Sequence, residues 1–411
     1  MDKTLNSQNY QPSFRVVQDA FTEIREMVSM QMRGSALALV QGLFTEEVES
    51  LCGKAFSRKS DELCHRGGSD PGSVILDGLR MGVKKPRIRK DGQEVELVSY
   101  QALQQYDLLC DRVMKHMIAG VSTREYDGLL GELEGGLGLK HSAVSNAFKR
   151  GSKQALEEIN GRDLSSHEWV ALMIDGIGFA ERLVIAAMGI TNKGEKLILG
   201  LKEGSSENSE VCKDLLQSLI ARGLKHESPF LFVLDGSKAL KKAVRLVFGE
   251  SFPIQRCVRH KERNIIEYLP WQYHAEFHRR WKKLHGCSDY DIALREYHAL
   301  RHWLGQLNHE ALASLDEADE ETLTVIKLKT PGMLRKTLLS TNPLESAFSK
   351  VRKKSSRVTN WKSGADQVSR WAAASLQEAE KKFRLIRGFR EIPVFMAELK
   401  KINLPNQAKV A

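Results

Sequence analysis

At 411 residues, 42% of them apolar, the chain is too long for one compact core and too hydrophobic for general disorder. Its net charge of +10 is unevenly placed, because residues 329–411 carry 18 Lys/Arg against 6 Asp/Glu and the remainder sums to −2. Six cysteines without a Cys-x-x-Cys pair, no run near the roughly 18 apolar residues of a membrane span, and a start without a signal-type apolar core predict a cytoplasmic protein with reduced thiols.

Residues 1–70 read as a helical region, with apolar residues at helical spacing in "FRVVQDAFTEIREMV" and "ALALVQGLFTEEVESL". The breaker cluster "HRGGSDPG" (65–72) predicts a boundary. In 71–100, Arg87 and Arg89 alternate with Val95 and Leu97 about Asp91-Gly92, the pattern of a small basic β-hairpin. Residues 101–165 return to helical spacing. There Ser122 with Glu125 gives a capping-box signature, Gly135-Gly136 stop a helix, and Ser142 begins another that carries Ser145, Asn146, Lys149 and Arg150. That outline fits a DNA-binding helix-turn-helix, with an ordinary helical hairpin as the alternative.

From 166 the texture becomes strand-like. "WVALMID", "RLVIAAMGI" and "EKLILGLKEG" predict a three-stranded meander, followed by a helix over 209–224, the strand "FLFVLD", a helix over 237–249 and the strand "FPIQRC". This order describes an α/β protein with a mixed sheet, spanning 166–258. Residues 259–328 are almost purely helical and read as an insertion, with a strand returning at "LTVIKLK" (323–329). Two helices around a basic loop fill 329–390, and 391–411 form a tail. Within that stretch Lys350, Arg352, Lys353, Lys354 and Arg357 are candidates for tracking DNA phosphates, a solvated basic helix being the alternative.

Two apolar runs end alike, "VALMIDGIG" at Asp175-Gly176 and "FLFVLDGSK" at Asp235-Gly236. A turn explains an Asp-Gly pair. A metal site is the other explanation: adjacent strands would bring the two carboxylates together at their tips, where about 4 Å of separation costs roughly 4 kcal/mol of repulsion unless a cation neutralises them. Magnesium suits such an oxygen-only set. Glu345 is the candidate third acid. With Asn342 as N-cap and Pro343 at the first helical position, it would equally suit a capping box. Asp316, Glu317, Asp319, Glu320 and Glu321 are rival carboxylates.

The blocks "MIDG", "GITNKGEKLILGLKEGSSENSEVCKDLLQSLIARGL", "VLDGSKALKKAV", "FPIQRCVRHKERNI" and "STNPLESAFSKVRKK" occur in that order, and together they resemble the transposases of Mutator-type bacterial insertion sequences. The upstream "GVSTREYDGLLGEL…SAVSNAFKR" resembles that family's DNA-binding region. The resemblance implies a ribonuclease-H-like core interrupted by the helical insertion and preceded by mostly helical DNA-binding domains. It implies an Asp-Asp-Glu triad on Asp175, Asp235 and Glu345 that holds two Mg2+ ions, with Mn2+ able to substitute. Asp175 would bridge both ions, and Asp235 and Glu345 would complete one each.

Double-stranded DNA, as terminal inverted repeats and as target, is the implied partner, handled by a homodimer or larger assembly in the bacterial cytoplasm at the nucleoid. Cys257-x-x-His260 resembles the family's Cys-x-x-His signature; His260 would lie near the scissile phosphate or pack the insertion against the core, and zinc, the alternative, would need two more ligands, for which His274 and His278 are candidates. Trp281 and Trp303 are candidates for stacking on DNA or for packing the insertion. A nuclease that cuts without joining, and a DNA-binding regulator without catalysis, are the alternative functions.

Overall fold

The computed structural model describes residues 14–55, 64–76, 79–105, 108–120, 141–204, 208–358, 361 and 366–402. The chain divides into two compact units, 1–150 and 151–411.

In the first unit a 39-residue helix, α1 (Phe14–Cys52), precedes a three-stranded sheet of β1 (Cys64–Leu76), β2 (Leu79–Lys90) and β3 (Gln93–Val95) in that order, then α2 (Val98–Gln105) and α3 (Leu108–Ala119). Val40, Phe44 and Val48, spaced four apart on one face of α1, bury against Val74, Val83 and Ile88 of the sheet. The expected basic hairpin is β2–β3: Asp91 (φ 52°) and Gly92 (φ 81°) form its two-residue turn, with Lys90 opposite Gln93. Residues 65–72, whose composition predicts a break, lie instead inside β1. Pairing with β2 shifts register between Arg66 and Ser69, so the Gly67-Gly68 pair is absorbed as an irregularity of the strand. The helix-turn-helix signals at Ser122, Glu125 and Gly135-Gly136 fall outside the described residues. The helix expected from Ser142 is present as α4 (His141–Gly161).

The second unit is built on β4 (Trp169–Phe179), β5 (Arg182–Thr191), β6 (Lys196–Gly204), β7 (Leu231–Leu234) and β8 (Ile254–Arg256). The strand order is β6-β5-β4-β7-β8. The first three strands form the expected antiparallel meander, while β7 and β8 join parallel to β4 through α5 (Ser209–Ala221) and α6 (Lys238–Phe248). Parallel neighbours require such crossover helices. With partners on both sides and both faces covered, β4 is buried along almost its whole length.

Side-chain alternation splits the core in two. Leu172 and Ile174 face α5 and α6, where Phe230, Phe232, Phe248 and Phe252 cluster with ring centroids 5.0–6.1 Å apart. Met173, Ile177 and Phe179 face the other way, into the larger core.

Beyond β8 the chain is helical: α7 (Val258–Ile266), α8 (His274–Gly286), α9 (Tyr290–Leu307), α10 (His309–Ala318), α11 (Thr324–Lys327), α12 (Gly332–Leu338), α13 (Asn342–Ser355), α14 (Gln367–Glu380) and α15 (Ile392–Leu399). The strand expected at 323–329 is a helical turn. The Gln255 side chain on β8 accepts from the Val325 amide (3.0 Å) and donates to the Thr322 carbonyl (2.9 Å), fixing this β-branched run in helical form. Glu380 at the end of α14 clasps the edge strand β6, accepting both guanidinium N–H groups of Arg162 (2.7 and 2.8 Å) and the Ile198 amide (2.7 Å). The face of α13 bearing Leu344, Ala347, Phe348 and Val351 is buried in the same core as β4.

Candidate functional site

Strands β4 and β7 pair in parallel with Ile174 opposite Leu234, so the next residues, Asp175 and Asp235, follow on adjacent chains. Their shared dipeptide has two different structures. Asp235-Gly236 leaves β7 as a turn: Asp235 Oδ1 accepts from the Ser237 amide (3.0 Å), Gly236 has φ 129°, and Ser237 caps α6 by accepting from the Leu240 amide. Asp175 is not at a strand tip as the sequence suggests, because β4 runs on through it to Phe179. It shares the alternation of Met173 and Ile177, which puts a carboxylate where the pattern calls for a core residue. Its Oδ1 accepts from the Gly176 amide at 2.8 Å.

Glu345 arrives from α13. The N-cap of that helix is Thr341, one residue before the expected Asn342, and no side chain caps it by hydrogen bonding. The capping-box role for Glu345 therefore fails. The Thr341 amide donates to Cys257 Sγ (3.4 Å), and the Thr341 hydroxyl donates to Glu345 Oε1 (3.2 Å) and approaches the same sulfur (3.5 Å). Glu345 also lies 3.5 Å from His260 Nε2 and 3.7 Å from Arg263, a neighbour that the sequence pattern did not single out. Four of the five rival acids are paired elsewhere: Asp316 with Arg301, Glu317 with Arg256 and Lys261, Glu320 with Tyr290, Glu321 with Lys241.

The electrostatics follow from this packing. Burial, then repulsion from Asp235 and more weakly from Glu345, pushes the Asp175 carboxyl up to about 7 against the pull of His260. Contact with Cys257, reinforced by Asp175 and Glu345, pushes His260 up to about 9 despite its desolvation. Burial alone would raise the Cys257 thiol, but His260 and the Thr341 hydroxyl bring it below its ordinary value.

Both the Asp175 and His260 shifts make the native state hold protons that the unfolded chain releases. Without a cation, stability should fall with rising pH, first between 3.8 and about 7 through Asp175 and then between 6.5 and about 9 through His260, at no more than about 1.4 kcal/mol per pH unit for each group. Asp175→Asn removes the first contribution. In calorimetry with chelator, the variant should match the parent only below about pH 3.8, and should melt several degrees higher at pH 8, roughly 2–4 °C for each kcal/mol relieved. Equal melting temperatures at pH 8 would mean that Asp175 ionises without strain.

Among the described residues, Cys257, His260 and Glu345 form a group able to hold a metal ion, with one ligand atom from each within 4.8 Å of the others. The candidate ligands His274 and His278 are engaged elsewhere, His274 with the Leu269 carbonyl (2.8 Å) and His278 with Glu262 (2.8 Å). Trp281 is buried, and Trp303 is half-buried beneath the Arg280 guanidinium; the exposed tryptophan is Trp271, at 84%.

Lys350, Arg352, Lys353 and Arg357 are exposed and Lys354 is half-buried. Lys350 lies within electrostatic reach of Lys196, and Lys354 of Lys350, Lys381 and Lys382, so the basic patch includes three lysines that sequence reasoning missed. In the helix α4, Asn146, Lys149 and Arg150 are exposed and Ser145 is half-buried. No helix among the described residues is long and apolar enough to cross a membrane.

A family model described as "Transposase, Mutator family" matches residues 12–384. The chain is 29% identical over 240 residues to the transposase for insertion sequence element IS6120 of Mycolicibacterium smegmatis, covering 57% of this chain and 72% of that protein. It is 27% identical over 323 residues to the transposase for insertion sequence element IS256 in transposon Tn4001 of Staphylococcus aureus (75% and 80%). To the transposase for element ISRM5 of Rhizobium meliloti it is 26% identical over 327 residues (77% and 79%).

Proposed function

The chain belongs to the Mutator family of transposases, and on that premise we propose that it cleaves the ends of an insertion sequence and joins the freed 3′-hydroxyls to target DNA at Asp175, Asp235 and Glu345. The observation that carries this reading is Asp175: an acid buried at a core position of the central strand, with two further acids close enough to raise its pKa. A purely structural residue there would be apolar. The strand order, three antiparallel strands followed by two parallel ones, supports a ribonuclease-H-like core.

The donor set fits magnesium. It consists of hard carboxylate oxygens whose mutual repulsion a divalent cation relieves, and one such ion would be held by Asp175 with Asp235, a second by Asp175 with Glu345. When bound, the ions supply charge stabilisation for the attacking and leaving oxygens of an in-line displacement. The protein's own residues do the rest. Asp175 is fixed by the Gly176 amide and Asp235 by the Ser237 amide, so both carboxylates are oriented before substrate arrives. Water attacks first at the element end, and the released 3′-hydroxyl then attacks a target phosphodiester in the same pocket. Neither step requires a covalent link to a side chain.

His260, protonated at neutral pH, and Arg263 place positive charge beside Glu345, where a scissile phosphate would be drawn in. Lys196, Lys350, Lys354, Lys381 and Lys382 extend that field for the flanking phosphates of inverted repeat and target.

The deciding experiment incubates the protein and Mg2+ with a labelled element end and a plasmid. Label joined to plasmid is the expected product. Cleaved but unjoined label would favour a nuclease, and binding without cleavage at any metal concentration would favour a regulator.

A further inference from the structure

We propose that Cys257, His260 and Glu345 form a second cation site, selective for soft divalent ions of the zinc type, that shares Glu345 with the magnesium-binding acids. Cys257 is the N-cap of α7 and His260 its third residue, so the two side chains project to one side of the helix start. Glu345 reaches the same point from α13, and the three ligand atoms lie within 4.8 Å of one another. Tetrahedral zinc wants its S, N and O ligands roughly 3.5 Å apart, and movement of the half-buried Glu345 and His260 side chains supplies the difference.

The sulfur is prepared for this role. It accepts from the Thr341 amide at 3.4 Å, the kind of surrounding donor that orients a thiolate ligand, and the Thr341 hydroxyl lies 3.5 Å away. A thiolate–imidazole–carboxylate set prefers zinc to magnesium, and its three protein ligands leave a fourth position for water. The consequence for activity rests on the function proposed above. A soft ion held by Cys257 and His260 would compete with magnesium for Glu345, and so lower cleavage.

Cobalt(II) titration of the full-length protein tests the site without DNA, so its outcome is separate from whether ends are cleaved. The wild type should develop a sulfur-to-cobalt charge-transfer band saturating at one ion per chain, displaced by Zn2+ and not by Mg2+. Cys257→Ser should abolish the band. His260→Gln should weaken binding by at least about tenfold. His278→Gln should leave it unchanged, and circular dichroism checks that each variant folds. Absence of the band in the wild type, its persistence in Cys257→Ser, or its loss in His278→Gln would each overturn the proposal. Should Cys257→Ser fail to fold, the His260→Gln and His278→Gln titrations decide alone.

Discussion

Alanine at Glu345 is expected to lower end cleavage by at least about a hundred- to a thousandfold, the scale of losing one fixed charge-stabilising group from a reacting site. Asp175→Ala and Asp235→Ala should do the same, with inverted-repeat binding largely retained in all three, because the basic clusters are untouched. The expectation rests on how the three acids are held: one inside the central strand, one in a turn leaving the neighbouring strand, one on a helix whose N-cap is tied to Cys257. Asp316→Ala is the matched control, since that acid is paired with Arg301 on the surface (2.8 Å) and should cleave normally. Gel assays of cleavage beside filter binding on the same preparations separate the two effects. Near-normal cleavage by any member of the triad removes it from the proposed centre.

The largest effect on stability is expected at Gly388. Its φ of 80° is strained for any side chain, and a Cβ there would fall on the backbone of Leu334, meeting its nitrogen and lying 2.6 Å from its Cα. Backbone cannot swing aside as a side chain can. Gly388→Val should therefore cost about 3 kcal/mol or more, combining left-handed strain with overpacking. The segment affected joins α14 to α15 and abuts α12, just ahead of the Glu345 helix, so urea unfolding should shift to a lower midpoint and cleavage should weaken with it. A midpoint unchanged from wild type would show that the segment can move away as a unit.

Much of this site was legible in the sequence because its parts announce themselves locally. An apolar run interrupted by an acid and a glycine marks both Asp175 and Asp235, and periodicity separated the meander from the crossover helices. Legibility failed where a distant residue overrides local preference. The run at 323–329 looks like a strand, yet the Gln255 side chain holds it helical across about seventy residues of chain. The breaker cluster at 65–72 is carried within β1 because β2 offers it an antiparallel partner. The N-cap of α13 falls at Thr341, whose amide donates to the sulfur of Cys257, 84 residues earlier in the chain. Of the lysines that complete the basic patch, Lys381 and Lys382 fall within the basic stretch 329–411, but Lys196 lies on β6, and a charge count along the chain cannot join it to them.

The stem of the helical insertion bears on how relatives of this protein can differ. The chain departs at Val258 and is back by Leu339, and the amide of the first donates to the carbonyl of the second at 2.9 Å. A detour pinned at its base can grow or shrink at a cost that rises only with the logarithm of its length. Closure at that stem therefore sets little limit on the length between Asp235 and Glu345; what holds the insertion is the packing of Phe277, Trp281 and Leu284 into the same core as Met173 and Ile177.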